Sequence, residues 1–280
     1  MTRSGWAILV AALACAGCAT LDTPTRARGT LRATPLPAQV ANASFDGLQL
    51  QCPFAIENTA RVPLTLVAID YMLGLEATRV AEGKVAHGTT IEPGARTTAT
   101  VSVDLTFDTL RKAVPALATS PEGRYSLVAT ALFTTPQGRE VRMPLAREGT
   151  LYALAPPRVE VARLAVRRRD VAAGRLDLVL RITNPNAFTA QVKQFACDVH
   201  LGGTRVGRIA LTPNRAIAPG GTAELVGPLP LDFRTLGPAL HAAIGSGAIA
   251  VRIGGSARVL TPYGEPTVQF DMTRKTPVLR

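Results

Sequence analysis

The sequence predicts an all-β protein with a minor α component: two tandem β-sandwiches, each carrying one short helix before its final hairpin. Three observations lead there. The first is an internal repeat. Ile56 and Asn58 recur as Ile182 and Asn184, an offset of 126 (182 − 56). The same offset carries Thr78-Arg79-Val80 onto Thr204-Arg205-Val206, Ile91-Glu92-Pro93-Gly94 onto Ile217-Ala218-Pro219-Gly220, and Thr135-Pro136-Gln137-Gly138 onto Thr261-Pro262-Tyr263-Gly264. A co-linear series of this kind marks a duplicated structural unit. The second is alternation with period two. Leu48, Leu50, Cys52, Phe54 and Ile56 in the first copy, and Leu176, Leu178, Leu180 and Ile182 in the second, put one apolar face on a half-buried strand. The third is one segment per copy where the period changes. Phe107, Leu110, Val114 and Leu117, like Phe233, Leu236, Leu240 and Ile244, fall at helical spacing, and Pro115 and Pro238 keep each helix short.

Taken from the N-terminus, residues 1–17 read as a signal peptide. Arg3 supplies the positive start, and Trp6 to Ala14 is an apolar run too short to span a bilayer, which needs roughly 20 residues. Ala16-Gly17-Cys18 then resembles the end of a bacterial lipobox. That resemblance implies lipidation of Cys18, with Cys15 as the alternative, and Ala19 in place of Asp implies the outer membrane of a Gram-negative bacterium, facing the periplasm. Two or three acyl chains give stable anchoring. Residues 18–31, rich in Thr, Arg and Pro, read as a lipidated tether. The first copy is expected over 32–155 and the second over 158–280, with Pro156-Pro157 as a stiff junction.

Within each copy the turns are marked. Pro93-Gly94 and Pro219-Gly220 suit the centre of a type II turn, and the Thr-Pro-x-Gly tetrapeptides suit type I turns closing the last hairpin. Pro35 and Pro37 put the first strand of copy one at a sheet edge, where a partner strand could add. Cys52 aligns with Leu178 and Cys197 with Tyr71, so the two face separate cores as buried free thiols.

The second copy holds Ile182-Thr183-Asn184-Pro185-Asn186 at a strand end, followed by an apolar strand, the hairpin Leu201-Gly202-Gly203-Thr204-Arg205-Val206-Gly207, and Ile217-Ala218-Pro219-Gly220-Gly221-Thr222. This order resembles the late-embryogenesis-abundant type 2 family, also called the Water stress and Hypersensitive response (WHy) domain, over most of 158–272. Copy one keeps the order but has Asn58-Thr59-Ala60 where copy two has Asn184, Pro185 and Asn186, and is a degenerate member. The resemblance implies fibronectin-III-like or immunoglobulin-like sandwiches, an association with desiccation and osmotic stress, and no catalytic residues. Most other late-embryogenesis-abundant proteins are hydrophilic and disordered. This chain is 47% hydrophobic and alternates like a packed sandwich, so a water-replacing disordered mechanism does not transfer.

Catalytic and metal-binding constellations are not legible. The three histidines do not recur between copies, and the sequence carries no GxSxG, P-loop or GxGxxG. No cofactor is expected. The net charge of +11 rests mainly on arginine, which suits anionic lipid or polysaccharide, although charges spread over solvated strand faces would give the same total. Nucleic acid is not expected as a partner. The readings that follow are a non-enzymatic outer-membrane lipoprotein protecting surfaces under stress, a structural module of the envelope binding another envelope protein through edge strands, or a carrier of lipid or another apolar ligand.

Overall fold

The structure is a computed structural model that describes residues 25–27, 30–118, 122–168, 173–232 and 247–279. The signal peptide, Cys15, Cys18 and the expected second-copy helix lie outside the described residues. Among the described residues no helix is long and apolar enough to cross a membrane.

The first copy is a two-sheet sandwich. Strands β1 (Thr25–Ala27), β2 (Leu31–Pro35), β3 (Gln39–Ala41), β4 (Gly47–Asn58) and β7 (Arg96–Thr106) form one sheet, with β4 at its centre. Pro35 and Pro37 interrupt the strand beside β4, splitting it into β2 and β3, and β1 pairs on the outside of β2. The second sheet runs β6 (Thr78–Ile91), β5 (Leu64–Leu75), β8 (Glu122–Thr134), β9 (Glu140–Tyr152). Alternation along β4 buries Leu48, Leu50, Cys52, Phe54 and Ile56 against the inward residues of β5 and β8. Helix α1 (Phe107–Ala113) and a 3₁₀ turn at Pro115–Ala118 plug one end of the sandwich. Phe107, Leu110, Val114 and Leu117 are all buried there, as their spacing predicts. Thr106 occupies the N-cap position, with its hydroxyl on Thr109 at 2.8 Å.

The second copy departs from the expectation of a matching open sandwich. It comprises β10 (Arg158–Arg168), β11 (Ala173–Thr183), β12 (Ala190–Leu201), β13 (Thr204–Leu211), β14 (Arg215–Ile217), β15 (Thr222–Asp232), β16 (Ala248–Leu260) and β17 (Thr267–Leu279). All eight belong to one sheet in the order β13-β12-β16-β17-β10-β11-β15, with β14 on β12. The joint is a short parallel ladder between β10 and β17, Leu164 with Val278 and Ala165 with Leu279. At the far side the terminal strands meet. A Cβ on Gly227 of β15 would lie 2.6 Å from Ile209 of β13, and one on Gly207 of β13 would lie 2.9 Å from Leu229 of β15. The sheet is therefore nearly closed into a barrel, and the pair of fibronectin-III-like or immunoglobulin-like sandwiches is not what the chain forms. Two local features give the reason. A bulge between Val161 and Arg163 interrupts the β10–β11 register just before the residues of β10 that pair with β17, and bulges bend and twist a strand. The glycines let the edge strands approach to side-chain contact. In copy one β9 lies beside β1 and β2, but no ladder joins the two sheets among the described residues.

Each copy has its own apolar cluster, one spanning Leu31 to Leu154 and the other Val161 to Val278. Cys52 sits in the first and Cys197 in the second, both buried and free. The predicted turns form. Gly94 and Gly220 take φ of +76° and +64°, with Ala95 N–H on the Glu92 carbonyl and Gly221 N–H on the Ala218 carbonyl, each at 2.9 Å.

Candidate functional site

The Asn-Pro-Asn segment is built first as a fold element. Asn184 is fully buried at the end of β11. Its Nδ2 donates to the carbonyls of Phe188 (2.7 Å), Ile217 (3.1 Å) and Ala218 (3.2 Å), while its Oδ1 accepts from the backbone N–H and the Nδ2 of Asn186, each at 3.0 Å. Asn58 repeats this at the end of β4, equally buried. Its Nδ2 donates to Val62 (2.9 Å) and Ile91 (2.8 Å), and its Oδ1 accepts from Ala60 N–H (2.9 Å). Every common partner is shifted by the repeat offset. An amide is suited to this place because it carries donors and an acceptor on one small group without charge. In Asn184 it gives the loop carbonyl of Phe188 and the buried carbonyl of Ile217 a donor, and adds a second donor to the Ala218 carbonyl, which already accepts from Gly221 N–H.

Asn186 has a different task. Its Oδ1 accepts from Ala155 N–H at 2.8 Å and its Nδ2 donates to the Ala155 carbonyl at 2.9 Å, clamping the linker between the copies. From the other side Arg111 of α1 donates to the Leu154 carbonyl at 2.5 Å. Around this clamp Phe188 packs edge-on against Tyr152, with centroids 5.6 Å apart, and touches both cores. The Tyr263 hydroxyl accepts from Tyr152 N–H at 2.6 Å, and burial pushes its pKa up to about 12. The junction at Pro156-Pro157 is thus a packed, hydrogen-bonded interface. Sequence reasoning missed Tyr152, Phe188 and Tyr263. The available signal was the mismatch between copies: Asn186, Phe188 and Tyr263 stand where copy one has Ala60, Val62 and Gln137. Val62, on the corresponding end of copy one, is exposed.

The outer faces of the copies also differ. Met72, Val128 and Ala146 lie side by side across β5, β8 and β9, and Met72 and Val128 are 44% and 53% exposed. The matching row in copy two is Asp198, Gly254 and Asp271. Arg252 forks onto Asp271 (2.6 and 3.0 Å) and Arg205 onto Asp198 (2.7 and 3.2 Å), holding both carboxyls below the usual range.

Among the described residues no group of three or more His, Cys, Asp or Glu is placed to hold a metal ion. Burial raises the thiol pKa of Cys52 to about 11 and of Cys197 to about 12, so both stay neutral and unsuited to nucleophilic work. Two grooves, of about 330 Å³ by Gln194, Ala196, Ser256 and Arg258 and about 340 Å³ by Gln51, Pro53, Thr98 and Thr100, lie over outward-facing strand residues. The space between the sheets is taken by side chains such as Phe54, Phe107 and Phe133.

One family model, that of the late embryogenesis abundant proteins (LEA_2), matches twice, at residues 54–149 and 179–274, and so covers more than half of the chain. The chain belongs to this family. Both LEA_2 matches include the ladders around Asn58 and Asn184 only in part, since the first begins at Phe54 and the second at Val179. Among solved structures, a protein from Archaeoglobus fulgidus is 17% identical (TM-score 0.33), covering 44% of this chain and 94% of its own. One from Arabidopsis thaliana is 12% identical (TM-score 0.37; 51% and 92%), and one described as a late embryogenesis abundant protein is 19% identical (TM-score 0.36; 44% and 71%). No curated protein sequence matches the chain.

Proposed function

We propose that this LEA_2 protein is a non-enzymatic lipoprotein of the outer membrane, held there through Cys18 (or Cys15), whose tandem domains protect membrane or protein surfaces in the periplasm during drying and osmotic stress. The observation that carries the reading is the double family match combined with the use of its polar motif. Asn58, Asn184 and Asn186 are consumed by internal hydrogen bonds, so the motif presents no group to a substrate. The cores are filled, which favours action through surfaces over carriage of an apolar ligand. Exposed arginine is abundant, but many of these side chains already face a carboxylate, as Arg163 and Arg181 face Glu224. Attraction to anionic lipid or polysaccharide is therefore a weak, salt-sensitive contribution.

The test is survival of a deletion strain after drying and osmotic shock. Loss of viability is expected, restored by the wild-type gene and not by a version with Cys15 and Cys18 both changed to Ser. Equal survival of deletion and parent would end the stress reading. Rescue by the double serine version would end the anchoring part alone.

A further inference from the structure

The two copies treat one sheet edge in opposite ways. In copy two the edge strand β13 is sealed against β15 through Ile209 and Gly227. The same positions in copy one are Gly83 and Val101, and Gly83 has no side chain to reach across at that point. Among the described residues strand β6 pairs only with β5, and it is exposed over most of its length. An open edge of this kind is a template for another strand.

Most of β6 is guarded. Relative to β5 it bulges at Val80 and again at His87-Gly88, and bulges stop regular pairing. Between them Ala81 to Ala86 runs in unbroken register against Leu73 to Ala68. This is the longest stretch of β6 in regular register. Tyr71 lies under its middle, with its hydroxyl 2.8 Å from where a Cβ on Gly83 would be, and so covers the inner side of that glycine.

A second copy of the same window is a partner whose charges fit. In an antiparallel pair of identical strands, opposite residues must both turn their N–H and C=O the same way, so the two-fold axis passes through a residue and never between two. Three registers are then available near the centre. An axis at Glu82 opposes Glu82 to itself, and an axis at Lys84 opposes Lys84 to itself. An axis at Gly83 places Glu82 opposite Lys84 twice, with Ala81 opposite Val85 on the inner side. Opposite charges across a ladder stabilise it and like charges destabilise it. In the single molecule these two side chains make only exposed contacts, Glu82 with Arg79 at 3.1 Å and Lys84 with Asp70 at 3.4 Å, which cost little to rearrange.

We propose that β6 is a self-association edge: two molecules pair antiparallel through Ala81–Ala86 about Gly83, joining their β6-β5-β8-β9 sheets into one. The charges that block foreign strands select this register. Six paired residues make a small interface, so the dimer is weak and exchanging.

Sedimentation of the full chain in mild detergent, from about 1 µM to about 1 mM, reads the association directly. A monomer–dimer equilibrium is expected. Glu82→Lys or Lys84→Glu should weaken it about tenfold by setting like charges opposite each other twice. The combined Glu82→Lys/Lys84→Glu variant should recover wild-type association, which loss of folding cannot mimic. All these side chains are exposed, so far-UV spectra should not change. A monomer across the whole range, single variants that dimerise like wild type, or a double variant that fails to recover would each overturn the proposal.

Discussion

Asn58 and Asn184 show how one side chain can fix a strand end. Each closes the loop behind it by hydrogen-bonding the carbonyl four residues on, and ties that loop to the carbonyl of Ile91 or Ile217 across the domain. Removing the amide strands buried carbonyls, which costs about 1–3 kcal/mol for each group left unpaired. Asn184→Ala should therefore lower stability by about 2–4 kcal/mol in urea denaturation. Asn184→Asp, of the same size, should cost at least as much, because a carboxylate would face the carbonyls of Phe188, Ile217 and Ala218. A neutral outcome for both would show that the amide is dispensable. The thiols give a second residue-scale expectation. The folded pKa values of Cys52 and Cys197, about 11 and about 12, lie above the unfolded value of roughly 8.5. The unfolded chain loses these protons first as pH rises, so the stability present below the unfolded pKa declines through the window up to the folded values. Mass-mapped alkylation at mild alkaline pH should leave both cysteines unmodified in the native protein and modify both after denaturation.

At the scale of elements, the seam of copy two rests on an absent side chain. Gly227 leaves room for Ile209, where copy one has Val101. Gly227→Val should push β13 from β15 and cost about 1–3 kcal/mol as overpacking. The readout is hydrogen exchange: amides of β13 should exchange faster while those of β4 and β7 do not change. Unchanged exchange in β13 would mean that the barrel is not held by this contact. Gly255 is stricter, since a Cβ there would lie 2.0 Å from the Ala196 carbonyl oxygen, inside the backbone of β12. These elements also show what the sequence could and could not reveal. The alternation along β4, the turns at Gly94 and Gly220 and the helical spacing from Phe107 to Leu117 were legible because each is a local pattern. The near closure of copy two was not. It depends on a two-pair parallel ladder between β10 and β17, which lie at opposite ends of the repeat and carry no local signal of meeting. The Asn-Pro-Asn motif was legible from its place at a strand end and its family resemblance, but its division of labour became visible only with the linker placed beside it.

For the whole molecule, the question is whether two copies unfold as one. The positions where the repeat is broken answer it physically. Asn186, Phe188 and Tyr263 replace Ala60, Val62 and Gln137 at the end of copy two that meets copy one. All three reach the linker or Tyr152. The corresponding end of copy one carries none of these three side chains, and Val62 there is exposed. Duplication alone would have left two weakly coupled beads. These substitutions turned one end of the second copy into a socket for the last strand of the first. Each hydrogen bond across it contributes about 1 kcal/mol net, and the Tyr152–Phe188 contact adds about 0.5–1.5 kcal/mol. These contacts exist only while both copies are folded, so the wild-type chain should melt in a single calorimetric transition. Combining Asn186→Ala with Tyr263→Phe removes both links to Ala155 and the bond from Tyr152 N–H while leaving the ring of Tyr263 in place. The variant should melt in two calorimetric transitions, with hydrogen exchange assigning one to each core. Two transitions already in the wild type, or one in the variant, would show that the socket does not couple the domains.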